Sequence, residues 1–164
     1  MKKLIYLVLT VLIVACSSDD DNSNTNNIWQ GAKITFTKSD NTDWTLETNQ
    51  DRITNNVWIT RQNNRGLFNI KVEASDTDGN ACLGPEPSDT EWAYGSIVNT
   101  SSLTFQPLGN LIECEFEDIV DGQDMVLHLI TDNIYIDLKF TSWSSGMGNG
   151  SGGGGFSYER STAN

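Results

Sequence analysis

Tryptophans that follow acidic side chains are the residues of this chain whose types most directly suggest a chemistry. The segments SDNTDW (39–44) and SDTEW (88–92) each place carboxylates just before a tryptophan. In carbohydrate-binding β-sandwiches, exposed aromatic rings stack on sugar faces while carboxylates and amides bind the hydroxyl groups. The candidate ligand-binding residues are Trp44, Trp92, Tyr135 and Trp143. The alternative is that these rings only cover the core or pack against loops.

Groups suited to catalysis are scarce by comparison. The single histidine, His128, lies between apolar residues in VLHLI (126–130), which favours a partly buried core histidine over a general base. The strand-turn-helix context of a Gly-x-Ser-x-Gly nucleophile is missing. Asp and Glu are numerous, but no particular pair is indicated for glycoside hydrolysis. We therefore assign no catalytic residue, and an enzyme is the less favoured interpretation.

One turn-rich segment carries a candidate metal site. SDTDGNA (75–81) places Asp76, Asp78 and Asn80 at alternate positions, where three oxygen ligands and a turn could wrap a calcium ion. No acidic residue closes this run in EF-hand register, so an ordinary solvated turn is the alternative. No other cofactor is expected. The glycine-rich run 150–155 matches the dinucleotide fingerprint only formally, because a strand rather than a helix follows it.

β-Strands are the elements that the sequence predicts to position these residues. Apolar and polar side chains alternate in several short segments, which is the pattern of a strand that buries one face. The segments are AKITFTK (32–38), VWITR (57–61), LFNIKVE (67–73), LTF (103–105), IECEFE (112–117), MVLHLI (125–130), IYIDLKFTSW (134–143) and FSYER (156–160). Thr131-Asp132-Asn133 is typical of a tight hairpin. Simple alternation places Trp143 on the face of Tyr135, opposite Ile134.

A single all-β domain follows from this pattern. No segment after residue 27 keeps the apolar spacing of an amphipathic helix, and 164 residues with 37% hydrophobic content suffice for one core. We expect residues 28–164 to form an antiparallel β-sandwich or jelly roll of about eight to ten strands. A small β-barrel is the alternative. The net charge of −12 argues against a nucleic-acid partner.

The first 27 residues have the anatomy of an exported lipoprotein. Lys2 and Lys3 precede an apolar run, residues 4–15, that ends at Cys16. This run is shorter than the roughly 20 residues that span a bilayer, which favours a signal peptide over residues 1–15. Residues 13–16 (IVAC) resemble the lipobox of bacterial lipoproteins. Residues 17–21 (SSDDD) resemble the acidic export signal of Bacteroidota-type lipoproteins.

These two resemblances imply a lipid anchor and a location. The lipobox implies that Cys16 is lipidated, and residues 16–27 then form a flexible polar tether. The acidic signal implies an outer-membrane protein that faces the cell exterior, with the periplasmic face as the alternative. Cys82 and Cys114 remain, an even number in an oxidising compartment, which favours a disulfide bond. Two separate buried thiols are the alternative, with Cys114 on an apolar strand face.

Further blocks of sequence resemble a family of secreted bacterial β-domain proteins and lipoproteins. They are residues 49–70, residues 88–96 and residues 128–162, the last of which contains YIDLKFTSW and GGGGFSYERST. The resemblance implies an extracellular β domain and carries no catalytic residue over. The leading hypothesis is a lipid-anchored surface protein whose β domain binds a glycan or protein partner without catalysis. A small secreted carbohydrate-active hydrolase or lyase and an adhesive or structural surface protein are the alternatives.

Overall fold

The computed structural model describes residues 27–63, 65–73, 87–116, 118–145 and 152–164. The strands are β1 Asn27–Trp29, β2 Lys33–Lys38, β3 Asp51–Arg52, β4 Trp58–Arg61, β5 Leu67–Asn69, β6 Thr90–Tyr94, β7 Met125–Leu129, β8 Ile134–Trp143 and β9 Phe156–Ser161. One α-helical turn, α1, spans Leu108–Leu111, and 3₁₀ turns span Glu47–Asn49, Ile97–Ser102 and Asp118–Val120. In the part of the chain that the structure describes, no helix is long and apolar enough to span a bilayer.

Two sheets build the all-β sandwich that the alternation predicts. The larger sheet has the order β2-β9-β8-β7-β6 with antiparallel neighbours, and β1 pairs in parallel with the first residues of β8. The smaller sheet has the order β3-β4-β5. Neither sheet of the described strands closes into a barrel. The sandwich is therefore confirmed.

The apolar positions of the strands meet between the two sheets. Ile136 and Leu138 of β8 are fully buried, and they share one hydrophobic cluster with Ile59 of β4 and Leu67 of β5. The hairpin at Thr131-Asp132-Asn133 joins β7 to β8 as predicted, with Asn133 in the left-handed region at φ 51°. Buried and half-buried residues alternate along β8 as far as Phe140, which explains why a period of two was visible in the sequence of this strand.

The link between β1 and β2 depends on a glycine. The N–H of Gly31 donates to the carbonyl of Thr162 at 2.9 Å, so the chain crosses closely over the end of β9. A Cβ at this position would overlap the carbonyl oxygen of Ala163. Glycine therefore lets the chain leave the edge of β8 and continue beside β9.

A β-bulge in β8 overturns the expected orientation of Trp143. Phe140 pairs with Tyr158, but the next pair is Ser142 with Ser157, so the register shifts by one residue at this point. Trp143 then pairs with the buried Phe156 and packs against the hydrophobic core. The expectation that Trp143 shares the outward face of Tyr135 was wrong because a bulge adds one residue to one strand and reverses the alternation beyond it.

Two predicted strands are not strands in the structure. LTF (103–105) is irregular chain, and residues 112–116 of IECEFE form a turn that follows α1. Glu113 and Cys114 have φ of 51° and 71°, which a strand does not accommodate. Ile112 packs in the core and anchors this turn, which is why an apolar residue stands beside polar ones here. LFNIKVE also ends as a strand at Asn69.

Several predicted sites lie outside the described residues. They are Cys16, the candidate calcium ligands Asp76, Asp78 and Asn80, and Cys82. Cys114 lies in the exposed turn after α1 rather than on a strand face. Its pairing with Cys82 stays a prediction.

The sandwich has two ends that matter for function. At the N-terminal end, the N–H of Asn27 donates to the carbonyl of Asn133 at 3.3 Å, so β1 begins beside the β7–β8 turn. At the distal end, β2 ends at Lys38 and β8 ends at Trp143. Both residues pair with Phe156, the first residue of β9. The nine residue steps of β8, at about 3.3 Å each, separate the two ends by about 30 Å.

Candidate functional site

Trp92 does not offer a binding face. The residue is fully buried in the core cluster. Its indole Nε1–H donates to the hydroxyl of Thr90 at 3.0 Å, which satisfies its polar group inside the protein. The expectation of a ligand platform at Trp92 was therefore wrong.

Tyr135 belongs to an aromatic cluster on the outer face of the larger sheet. Its ring stacks on His128 with centroids 4.1 Å apart, and Phe105 approaches its ring at 5.5 Å in an edge geometry. Nδ1 of His128 lies 2.7 Å from Oε1 of Glu91. Partial burial and the nearby Glu91 raise the pKa of the Tyr135 hydroxyl. His128 is thus a partly buried histidine held by neighbours, as the sequence predicts.

Neighbouring side chains cover the indole ring of Trp143. The guanidinium carbon of Arg61 lies 3.6 Å from the indole centroid, and Phe116 stacks at 5.0 Å with an interplanar angle of 13°. Two groups at these distances do not fit on one face, so both faces of the indole are occupied. Trp143 therefore has a packing role and offers no sugar platform.

Trp44 keeps an open side. Its ring meets the buried Phe68 at 5.5 Å in an edge geometry and lies in the wall of a cavity of about 430 Å³ at the distal end. The other lining residues are Asn41, Thr42, Asp43, Gln62 and Asn63. Hydrogen bonds from the hydroxyl and N–H of Thr45 lower the pKa of the Asp43 carboxyl. The structure therefore does not bring the predicted residues together on one surface.

A different cavity gathers the chemistry that a saccharide site needs. This N-terminal cavity measures about 620 Å³ and opens to solvent beside the β7–β8 turn. Its walls combine two tryptophans with amide, hydroxyl, guanidinium and carboxylate groups. The lining residues are Trp29, Arg52, Ile53, Thr54, Asn55, Asn56, Trp58 and Asp132.

Asp132 fixes the loop that forms the polar wall of this cavity. One carboxylate oxygen accepts from the hydroxyl of Thr54 at 2.5 Å, and the other accepts from the side-chain amide of Asn56 at 2.7 Å. The same Thr54 oxygen accepts from the N–H groups of Asn56 and Val57, each at 3.2 Å. Charge-assisted hydrogen bonds to both oxygens hold the loop in one geometry before any ligand arrives.

The two indoles of the cavity differ in their surroundings. Nε1–H of Trp58 donates to the carbonyl of Thr54 at 2.9 Å, and Arg52 and Lys71 lie 4.1 and 4.5 Å from its ring centroid. Trp29 is half-buried against the core and lines the cavity beside the loop. Within the described part of the chain, no aromatic ring or cation stacks on Trp29. Its ring is the one available for stacking on a ligand.

No local pattern in the sequence indicates this cavity. The segment DRITNNVW (51–58) places two asparagines between a threonine and a tryptophan. Asp132, which also lines the cavity, lies 76 residues from Asn56 along the chain. Only the fold shows that the hairpin and the loop meet.

Metal binding and similarity to known proteins give no further lead. Within the described ranges, no group of three or more His, Cys, Asp and Glu side chains is arranged to hold a metal ion. No protein-family model, curated protein or solved structure gives a significant match to the chain.

Proposed function

We propose that this protein is a lipid-anchored, surface-exposed outer-membrane lipoprotein whose β-sandwich binds a glycan in the N-terminal cavity. One observation carries the proposal: Trp29 and Trp58 share one open cavity with amide, hydroxyl and guanidinium groups. A sugar ring has an apolar face and a rim of hydroxyl groups. An aromatic wall and preorganised polar groups match these two features.

The size and openness of the cavity fit a polymer better than an enclosed metabolite. Its volume of about 620 Å³ lies within the range of ligand-binding clefts, roughly 300–1,000 Å³. Because it opens to solvent, a saccharide chain can continue beyond it in either direction. The exposed Asn55 and Arg52 at its rim are placed to bind hydroxyl groups of neighbouring sugar units.

The wall of the cavity supports binding rather than hydrolysis. Glycoside hydrolysis uses a pair of carboxyl groups on either side of the scissile bond. Asp132 is the sole carboxylate among the residues that line the cavity, and both of its oxygens already accept hydrogen bonds from Thr54 and Asn56. This arrangement holds a loop in place and leaves no second acid for the reaction.

The anchor predicts a clear change in location. Replacement of Cys16 by Ala removes the thiol that would carry the lipid, so we expect the protein to leave the membrane fraction and to lack an acyl mass. Fractionation and intact-mass spectrometry measure both. Ser17→Ala is the matched control and should keep both the lipid and the membrane location. Unchanged membrane retention of Cys16→Ala would exclude the anchor.

The binding proposal predicts a tryptophan-dependent interaction with polysaccharide. The full chain, purified in detergent, is applied to a broad polysaccharide array. We expect at least one glycan to bind and Trp29→Ala to weaken that binding about 5- to 150-fold, because stacking of one ring contributes about 1–3 kcal/mol to comparable base–aromatic contacts. Trp44→Ala, at the distal end, is the control and should bind normally.

Other outcomes of the array identify the alternatives. An array without any bound glycan would overturn the proposal and favour a protein partner or adhesion. Equal binding by wild type and Trp29→Ala would move the site elsewhere on the surface. Repetition with a chelator tests the calcium expectation at Asp76, Asp78 and Asn80, because binding that needs calcium is lost under this condition.

A further inference from the structure

Two cations are buried between the sheets at the distal end. Lys38 of β2 and Arg61 of β4 are only 1% and 3% exposed. Nζ of Lys38 donates to the carbonyl of Gly154 at 3.1 Å. The guanidinium of Arg61 donates to the carbonyls of Ser144 and Gly155 at 2.9 and 2.8 Å. Both cations therefore bind the ends of the loop that follows β8.

The partners of these cations are neutral. Within the described residues, neither cation forms a salt bridge, whereas buried Arg160 contacts both carboxylate oxygens of Asp51 at 2.6 and 2.7 Å. Asp40 and Asp43 are the nearby acids, and both are exposed. Oδ1 of Asp40 accepts from the N–H of Gly155 at 2.8 Å. A buried charge is costly unless an opposite charge compensates it directly. Exposed carboxylates that form no salt bridge with Lys38 or Arg61 therefore leave positive charge at this end.

A third open cavity lies beside Lys38. The distal cavity measures about 350 Å³. Its walls contain four hydroxyl side chains together with the residue that carries the buried ammonium. The lining residues are Thr37, Lys38, Ser39, Asp40, Ser142, Trp143, Ser144, Gly155 and Phe156.

The charge of this end is opposite to that of the whole chain. Residues 38–45 and 61–66 contain three cations, Lys38, Arg61 and Arg65, and two carboxylates, Asp40 and Asp43. The local sum is +1, while the chain carries −12. The distal end therefore attracts anions, which the negative charge of the rest of the protein repels.

We propose that the distal cavity binds an oxyanion, namely the sulfate or carboxylate group of an acidic saccharide. The anion compensates the charge of Lys38, to which the neighbouring Arg61 adds, and the serine and threonine hydroxyls of the wall donate to its oxygens. This site is separate from the N-terminal cavity, so it does not depend on the glycan site proposed there. The two sites lie about 30 Å apart and one polysaccharide chain of mixed charge could reach both.

Titration of two probes onto the full chain tests the proposal. Inorganic sulfate and oligogalacturonate are the oxyanion probes, and a neutral dextran is the negative control, all at constant ionic strength. Calorimetry should detect at least one oxyanion and not dextran. Lys38→Met should weaken this binding at least tenfold, as expected when a charge-assisted hydrogen bond is lost. Lys33→Met removes the same charge from the exposed start of β2 and should bind as the wild type does.

The pattern of binding also identifies the source of the anion. Binding of sulfate alone indicates sulfated sugars, and binding of oligogalacturonate alone indicates uronic acids. Binding of neither probe, or equal binding by Lys38→Met and wild type, would overturn the proposal.

A second measurement on the wild type covers the case in which Lys38→Met does not fold. Burial lowers the pKa of Arg61 to about 10, and burial together with the charge of Arg61 lowers the pKa of Lys38, while Asp40 and Asp43 act in the opposite direction. A bound anion raises both pKa values. Binding near pH 10 should therefore take up protons, which calorimetry in two buffers of different ionisation enthalpy detects. Binding without proton uptake would contradict the assignment.

Discussion

Replacement of Asp51 by Asn should lower the free energy of unfolding by about 3–5 kcal/mol. Asp51 of β3 accepts from Nε and Nη2 of Arg160 at 2.6 and 2.7 Å and from the hydroxyl of Tyr158 at 2.7 Å. All three side chains are buried, and they join the smaller sheet to β9 of the larger sheet. The substitution leaves the Arg160 guanidinium between the sheets without its counterion, which is the costly half of a broken buried ion pair.

An exposed ion pair of the larger sheet provides the control for this prediction. Nζ of Lys33 lies 2.7 Å from Asp137, and the two side chains are 51% and 22% exposed. Asp137→Asn should cost only about 0–1 kcal/mol, because water screens the pair and solvates the remaining lysine. Chemical denaturation measures both variants. A loss below about 1 kcal/mol for Asp51→Asn would contradict the buried link between the sheets.

Trp92→Ala should lower the free energy of unfolding by about 3–5 kcal/mol, the usual cost of removing a large buried aromatic side chain. Trp92 is fully buried, its ring lies 6.1 Å from that of Phe140, and it donates to Thr90. The substitution opens a cavity in the hydrophobic core next to the larger sheet. Val98→Ala, at a position 74% exposed, is the control and should change the stability by no more than about 0.5 kcal/mol.

This prediction also separates a core residue from a binding residue. A stable Trp92→Ala variant that had lost glycan binding would indicate that Trp92 lies at the surface, and would contradict its burial. An unstable variant that, once folded, still binds the glycan is the expected result. Thermal denaturation and array binding on the same sample measure both properties.

The fold could be predicted because apolar and polar residues alternate in the sequences of the long strands β2 and β8. Ile134, Ile136 and Leu138 point into the core from β8, and the Thr131-Asp132-Asn133 turn gives the hairpin its register. The same rule failed at IECEFE (112–117), because residues that anchor a turn to the core alternate just as a strand does. Alternation indicates which residues are buried, but it does not by itself show whether their backbone forms a strand or a turn.

The candidate site could not be predicted because it depends on contacts between distant segments. The Asp132 carboxylate lies 78 residues from Thr54 along the chain, and no local pattern joins them. Trp143 was misplaced by one bulge residue between Phe140 and Ser142. Trp29 and Trp58 gave no acid-tryptophan signal, so the composition rule that selected Trp44 and Trp92 passed over them.

The buried link between the sheets joins two distant segments of the chain. Asp51 lies in the block 49–70, and Tyr158 and Arg160 lie in the block 128–162. Hydrogen bonds between these blocks form the buried link between the two sheets. Burial raises the pKa of the Tyr158 hydroxyl well above its ordinary value, so this group stays a hydrogen-bond donor to Asp51 throughout the neutral range.

The most direct test of the proposed function follows the indole N–H signals of the protein by NMR during titration with a glycan that binds on the array. The chain has five tryptophans, and single Trp→Phe variants assign their signals. We predict that the signals of Trp29 and Trp58 shift with added glycan, while the signal of buried Trp92 stays in place. Shifts confined to Trp44 or Trp143, with Trp29 and Trp58 unchanged at saturation, would contradict a glycan site in the N-terminal cavity.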